Sequence, residues 1–518
     1  MYGIDLGTTK SCIARLDHNG TPEVIRNLED ASDTLASAVY FESADTVVIG
    51  NNAKDMTETD GDRVVQFIKR EIGKPNAPTY EFDGRTYTPV EISALILRRL
   101  KQMVEAQGDT VDDVVIACPM YFGVEERNAI KQAGMLAGMN VLAMINEPTA
   151  ATLSYCVQQF QGERTILVYD LGGGAFDVAI IKMSLVTNEF GEEVQKVKVV
   201  ATDGNDRLGG KDWDDKLFDY ILQQCCEENG LCPEEIDKET RQTIRSRVER
   251  IKKKLSNSEK AKARINVNGA MTLIEISRKK FEELTADLVA QTMTYVENTL
   301  RKVGDIEIDT VLLVGGSTFM PMIRNALETR FPGKVQLEDP NLAVAKGAAI
   351  YGGMLGVEVE EHDEELIPKF IAMYPEIVLD EGWLSRSFGI GILNEVDDYV
   401  IDNLIKIDAV MPATAVKTYY TVKDNMEKFI IRVFENMSMD DNIILCVDNM
   451  GEPQSTNPAD AVKLLGELEL LLPPNTRKGS PIEVMLQVEA AGVYVKAVNL
   501  SSGEIVEATI KMESEIMD

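Results

Sequence analysis

The stretch YDLGGGAFD, residues 169–177, follows the apolar run TILV, and the chain opens with a near copy, IDLGTTKS, at residues 4–11. Each is an apolar strand that ends in aspartate, leucine and a glycine turn, and the two aspartates, Asp5 and Asp170, lie 165 positions apart. A glycine turn after a buried strand lets backbone N–H groups converge on an anion, because no Cβ blocks the approach. Either turn alone reads as a structural bend. The pair implies a duplicated half-fold with two phosphate loops facing each other across a cleft. Asp5 and Asp170 are then carboxylates near one Mg²⁺, reached through its waters.

The bulk composition sets the frame. The 518 residues are 44% hydrophobic and 27% charged, which describes an ordinary folded chain of three or four domains' length. No apolar run reaches membrane-spanning length, and MYGIDLGTTK enters a strand without the basic and apolar regions of a secretory signal. The 53 basic and 85 acidic residues give a net charge of −32, a surface that repels nucleic acid and anionic membranes. Any polyanion bound here must be held by local cations and backbone N–H groups working against that field. Seven irregularly spaced cysteines read as reduced thiols of a cytoplasmic protein. Cys225, Cys226 and Cys232 cluster, but with His18 and His362 as the only histidines no zinc site is expected.

Residues 1–356 alternate strands with helices. VVIACPMYF (114–122) reads as a buried strand and EERNAIKQAGMLAGM (125–139) as a helix, and VLLVGGSTFMPMIRNAL runs from strand through a glycine loop to helix. That is an α/β domain with its site at the strand ends. Residues 357–383, beginning VEVEEHDEELIP, read as an acidic and then hydrophobic linker. From 384 to 518 the helical period vanishes, and about eight short alternating runs separated by turn residues predict an all-β, sandwich-like domain.

In order along the chain, IDLGTTKSC, FIKREIG, NEPTAATLSY, VYDLGGGAFD, RLGGKDWD, LLVGGSTFMP and AVAKGAA resemble the nucleotide-binding domain of DnaK-type, seventy-kilodalton heat-shock chaperones. The region from LSRSFGIGI to EIVEATIK looks like that family's substrate-binding β-sandwich. The resemblance implies an actin-like, ribonuclease-H-like duplicated ATPase domain followed by an all-β substrate domain. It implies ATP or ADP with Mg²⁺, and K⁺ as a further candidate ion. Carried over position by position, Gly7, Thr8, Thr9 and Lys10 form the first phosphate loop, with Thr8 near the transferring phosphate. Gly172, Gly173, Gly174 and Ala175 form the second, next to Gly209 and Gly210. Lys69 matches the lysine that reaches the γ-phosphate and the attacking water, and Glu147 and Asp177 match carboxylates ordering the metal, its waters and the nucleophilic water. Glu249, Lys252, Lys253 and Ser256 match residues around the adenosine, and Glu249, Lys252 and Ser256, three and four apart, share a helix face. Gly315, Gly316, Ser317, Phe319 and Asn341 match the last nucleotide loops. The implied activity is ATP hydrolysis whose product is conformational.

The departures from the family pattern are specific. Ala175 stands where the family has threonine, so ATP binding is expected to survive while turnover slows. Phe319 replaces an arginine that lies against adenine, and an aromatic face can still stack on a base. Asn341 takes an aspartate position. Ala143 stands where bacterial members carry an arginine used by J-domain partners, although Asp380 matches the linker aspartate, and the segment between Lys74 and Ser93 is short. A peptide groove for extended apolar segments is implied at Ile390, Ile392, Leu393, Tyr419, Val422, Phe429 and Ile431, each of which reads equally well as sandwich core. Phe429 occupies a place that prefers a smaller residue. The sequence ends at KMESEIMD, where the family's helical lid begins, so a lidless groove with fast peptide exchange is expected. Polypeptide clients, a J-domain protein and a nucleotide-exchange factor are the partners so implied. The alternative is a nucleotide-sensing adaptor with one dedicated protein partner and little or no hydrolysis. A filament-forming protein and a sugar kinase fit poorly with the appended β domain.

Overall fold

Two sheets carry the first unit, and they repeat one plan. In the first sheet the strands lie in the order Asn140–Asn146, Asp113–Cys118, Tyr2–Asp5, Lys10–Leu16, Pro22–Val24, with Leu35–Ala36 also paired to Lys10–Leu16. In the second the order is Val335–Leu337, Thr310–Val314, Arg164–Leu171, Phe176–Thr187, Glu193–Asn205, Ile377–Asp380. In each, the strand that carries the turn aspartate pairs antiparallel with the strand after its glycine turn and parallel with a strand reached by a later crossover. Asp5 thus sits across from Cys12 and Ala117, and Asp170 across from Asp177 and Val314.

These positions come from a computed structural model. It describes residues 1–518 apart from 75, 160–162, 188–192, 338, 360–376, 381–383, 385, 395–397, 408, 410–412, 437, 439–442, 448–452, 458–461, 490–491 and 512–518. The chain divides into two compact units, a first spanning Met1–Met120 and Glu125–Asp380 and a second that takes in Glu381–Asp518.

Both sheets of the first unit are covered by helices, which is why their central strands are almost continuously apolar. Helix Pro89–Glu105 begins at a capping box, Thr88 accepting from the Glu91 N–H while the Glu91 carboxylate accepts from the Thr88 N–H. It buries Ile92, Ile96, Leu97, Leu100 and Val104, one stripe at helical spacing. Helix Ala343–Val359 lies close against strand Tyr2–Asp5 and helix Glu147–Gln159. A Cβ on Gly3 would sit 2.0 Å from the Ala349 nitrogen, and one on Gly347 would sit 1.7 Å from the Ala150 carbonyl oxygen. Under the second sheet the core gathers Trp213, Leu217 and Ile221 of helix Gly210–Asn229 against Tyr169 and Phe176, whose rings meet edge to face at 4.7 Å between centroids.

Four expectations about element bounds differ from what is observed. The helix expected over 125–139 spans Val124–Leu136, and the buried strand expected over 114–122 is Asp113–Cys118. The boundary expected after residue 356 falls inside helix Ala343–Val359, because GGMLGVEV offers no proline to stop it and a glycine inside a helix costs only about 1 kcal/mol against alanine. Ile377–Asp380, expected within the linker, is a strand that pairs in parallel with Gln195–Lys198 at the edge of the second sheet. The acidic stretch between lies mostly outside the described residues.

The second unit is all β. Among the described residues it has ten strands rather than about eight, six in one sheet and four in the other. The additional two are Ser387–Leu393 and the short Pro453–Ser455. Its core is built from alternating positions such as Ile482, Val484, Leu486 and Val488, all fully buried.

Candidate nucleotide site

The two glycine turns are in direct contact. A Cβ on Gly173 would lie 2.3 Å from the Thr9 side chain, and one on Gly174 would lie 2.3 Å from that of Thr8. Only a bare backbone lets the second loop come this near the first. Each loop is held from behind. Ser37 donates from Oγ to the Gly7 carbonyl at 2.7 Å and from its N–H to the Thr9 carbonyl at 3.0 Å. In the second loop every glycine carbonyl is taken: Gly172 accepts from Ser317 Oγ (2.8 Å) and the Gly210 N–H (3.0 Å), Gly173 from the Lys211 N–H (2.8 Å), and Gly174 from Arg70 Nε (2.7 Å). Arg70 also pairs with Asp212, which accepts from the Gly209 N–H at 2.7 Å.

Between and beside the loops lies a cavity of about 510 Å³. Of the residues expected around the nucleotide, it brings together Asp5, Gly7, Thr8, Thr9, Lys10, Lys69, Glu147, Asp170, Gly172, Gly173, Ala175, Asp177, Gly210, Glu249, Lys252, Lys253, Ser256, Gly315, Gly316, Ser317, Phe319 and Asn341. Gly174 and Gly209 do not line it. Gly174 is buried against Thr8 of the first loop, and Gly209 is buried behind the second, where a Cβ would meet the Gly174 nitrogen at 2.5 Å. Gly315 is glycine for two reasons: its φ is +82°, and a Cβ would lie 2.3 Å from the Leu171 carbonyl oxygen. Phe319 is exposed at the rim, and a Cβ on Gly316 would meet the Asn341 amide oxygen at 2.7 Å.

At the floor four carboxylates share one ammonium. Lys69 Nζ donates to Glu147 Oε1 at 2.5 Å, and Asp5, Asp170 and Asp177 are close by. Burial, with the Glu147 charge added, pushes the Asp5 carboxyl up to about 7. The same two causes raise Asp170 and Asp177 well above the usual carboxylate range. Burial disfavours the Lys69 ammonium, but Glu147 and Asp5 outweigh it and its pKa rises. An acid pole with so little neutralising charge is suited to a cation. Among the described residues no three His, Cys, Asp or Glu side chains converge closely enough to hold a metal ion by themselves.

The opposite wall is basic. Lys252 donates to the Gly210 carbonyl at 2.6 Å and to Asp214 at 2.8 Å. Glu249 is held between Lys253, at 2.6 Å, and Lys54; burial works against its charge, but the two lysines depress its pKa strongly. Lys54, Gln66, Phe67, Lys211 and Asp214 line the cavity and were not expected from the sequence. Asp214 was within reach, four residues beyond Gly210 on the helix that starts there. Lys54, in NNAKD, carries no local signal, since its role depends on a contact 195 positions away.

In the second unit the residues of the expected groove differ in burial. Ile390, Ile431 and Tyr419 belong to the sandwich core, and Tyr419 donates to the Asp402 carboxylate at 2.7 Å. Ile392 and Phe429, two positions along the same strands as Ile390 and Ile431, pack against that core as well. Ile392 and Phe429 are half-buried, and Leu393 and Val422 are exposed.

A family model described as Hsp70 protein matches residues 1–518. "Chaperone protein DnaK" of Thermosipho melanesiensis is 34% identical over 516 residues, covering 97% of this chain and 79% of that protein.

Proposed function

The chain belongs to the Hsp70 family of ATP-dependent chaperones, and from that premise we propose that the cavity between the glycine turns holds ATP or ADP and that the first unit is an actin-like ATPase. The observation that carries this reading is the contact of Gly173 with Thr9 and of Gly174 with Thr8 at the open end of a twice-used sheet plan. Proteins of this family serve polypeptide clients with co-chaperones. Here the second unit is the peptide-binding sandwich, with Ile392, Leu393, Val422 and Phe429 as its groove residues, and a J-domain protein and an exchange factor are the co-chaperones we assign. The adaptor reading is not favoured by this family membership.

In the mechanism so proposed, the triphosphate lies across both loops and receives their free N–H groups. Thr8 donates toward the transferring phosphate. Lys69, fixed by Glu147, places positive charge where the γ-phosphoryl departs, and Glu147 and Asp177 orient a water in line with the bond that breaks. Mg²⁺, when bound near Asp5 and Asp170, supplies charge neutralisation to the phosphates. Ala175 keeps the turn but has no hydroxyl to donate, so hydrolysis is slow. Loss of the γ-phosphate lets the lobes relax. Strand Ile377–Asp380 rides on the second lobe's sheet, and the second unit begins at the next residue, which gives lobe motion a covalent path to the client domain.

Titration calorimetry with ATP and ADP, together with release of a fluorescent apolar peptide on adding ATP, tests the proposal. Nucleotide uptake and ATP-accelerated release from several unrelated peptides are expected. Absence of heat with either nucleotide removes the reading.

A further inference from the structure

The cleft is charged unevenly along its length, and its basic end holds more cation than its own carboxylates balance. Three ammonium groups, those of Lys10, Lys54 and Lys253, gather around Glu249. Lys54 and Lys253 occupy the two oxygens of that carboxylate between them. Lys10, in the cavity wall, has no side-chain hydrogen bond or ion pair among the described residues. Burial and the neighbouring Lys253 lower the pKa of the Lys10 ammonium, as expected of a cation without its own counter-charge. In a chain of net charge −32, this local surplus does not follow from general basicity.

Position indicates what anion the surplus serves. Lys10 follows Thr8 and Thr9 directly, so it stands beside the phosphate loops. Lys253 and Glu249 belong to helix Lys238–Asn257, the helix assigned to adenosine. On the nucleotide reading, which sets adenine on that helix and phosphates on the loops, the ribose that joins them belongs in the stretch between. A polyphosphate longer than three units would extend the other way, onto the carboxylate floor, where it is repelled. We propose that the cleft accepts adenine nucleotides carrying a phosphate on the ribose, held by Lys10 and Lys253. This rests on the nucleotide reading of the cavity and narrows its ligand class.

The test is calorimetry on the full chain with AMP, ADP, adenosine 2′,5′-bisphosphate and adenosine 3′,5′-bisphosphate. One of the two bisphosphates is expected to bind about tenfold tighter than AMP, the scale of one charge-assisted contact, and which one identifies the hydroxyl involved. Lys10→Met and Lys253→Met should each return that ratio toward one, whatever they do to AMP itself. If ADP binds while both bisphosphates match AMP, the inference is overturned and the nucleotide site stands. If ADP fails as well, the site reading falls first. A ratio that survives Lys10→Met in a protein with parental circular dichroism removes Lys10 from the role. Should that variant not fold, Lys253→Met decides alone, since its side chain is 55% exposed.

Discussion

The first and second glycine turns share a backbone and differ in what they bring to it. Both follow the central strand of a sheet of the same order, and both are preceded by a buried or half-buried aspartate. The first turn carries hydroxyls, Thr8 and Thr9, and is tied back by a single serine, Ser37. The second has no hydroxyl, and four groups from three elements fasten its carbonyls. The shared sheet plan therefore places the two loops alike, and their side chains differ. In the proposed mechanism one loop donates to the reacting phosphate, and the other is a rigid shelf of amides.

The comparison breaks most sharply at the floor, where the proposed mechanism needs Lys69 whichever loop holds the phosphate. Lys69→Met should lower single-turnover hydrolysis by about 10²–10³-fold, the usual cost of removing one preorganised charge donor, while leaving Glu147 unpaired in a buried setting. Quenched-flow measurement of phosphate release tests this, and a change below threefold would remove Lys69 from the reaction. Next comes the missing hydroxyl itself. Ala175→Thr should raise the hydrolysis rate by about tenfold to a hundredfold, because one transition-state donor contributes about 1.4–2.7 kcal/mol. ATP affinity should change far less than the rate. An unchanged rate means the shelf needs no donor, and the asymmetry between the turns would then be chemically silent.

How much of this could be read in the residues depends on the range of the interaction. The loops were legible because an apolar strand, an aspartate and a glycine turn are contiguous, and the helix face bearing Glu249, Lys252 and Ser256 follows from helical spacing. Gly174 and Gly209 matched the same motifs but do not line the cavity, Gly174 being closed off by Thr8 and Gly209 lying behind the loop, since sequence places a residue in a turn without saying which side of it is open. Lys54 was invisible because its partner lies on another lobe. In the second unit alternation marks every inward residue alike, so the sequence does not tell which of Ile390, Tyr419 and Ile431 are fully buried and which neighbours, such as Ile392 and Phe429, are only half-buried.

Two smaller effects sharpen the view of the second turn as a shelf. Gly209→Ala sets a Cβ 2.5 Å from the Gly174 nitrogen and 2.7 Å from that of Ala175, so the loop must move. ADP should bind about tenfold more weakly, in line with about 1–3 kcal/mol for overpacking a tight site. Unaltered calorimetry would show that the shelf is soft.

The smallest effect lies beneath it, at Asp214, which holds Lys252 against the Gly210 carbonyl. Burial pushes this carboxyl up to about 6 even against the pull of Lys252. An unfolded aspartate titrates near about 3.9. Between these values the folded chain keeps a proton that the unfolded chain has released, so this group's contribution to stability falls as pH rises through the window and is level above it. Asp214→Asn cannot titrate, and it also loses the ion pair, a constant offset once Asp214 is charged. The stability of the parent minus that of the variant should therefore decrease from about pH 4 to about pH 6 and then stay flat. Urea unfolding of both proteins across that range measures it. A difference that is constant throughout would mean that Asp214 is already ionised at low pH and that Lys252 anchors the shelf as a full ion pair under all those conditions.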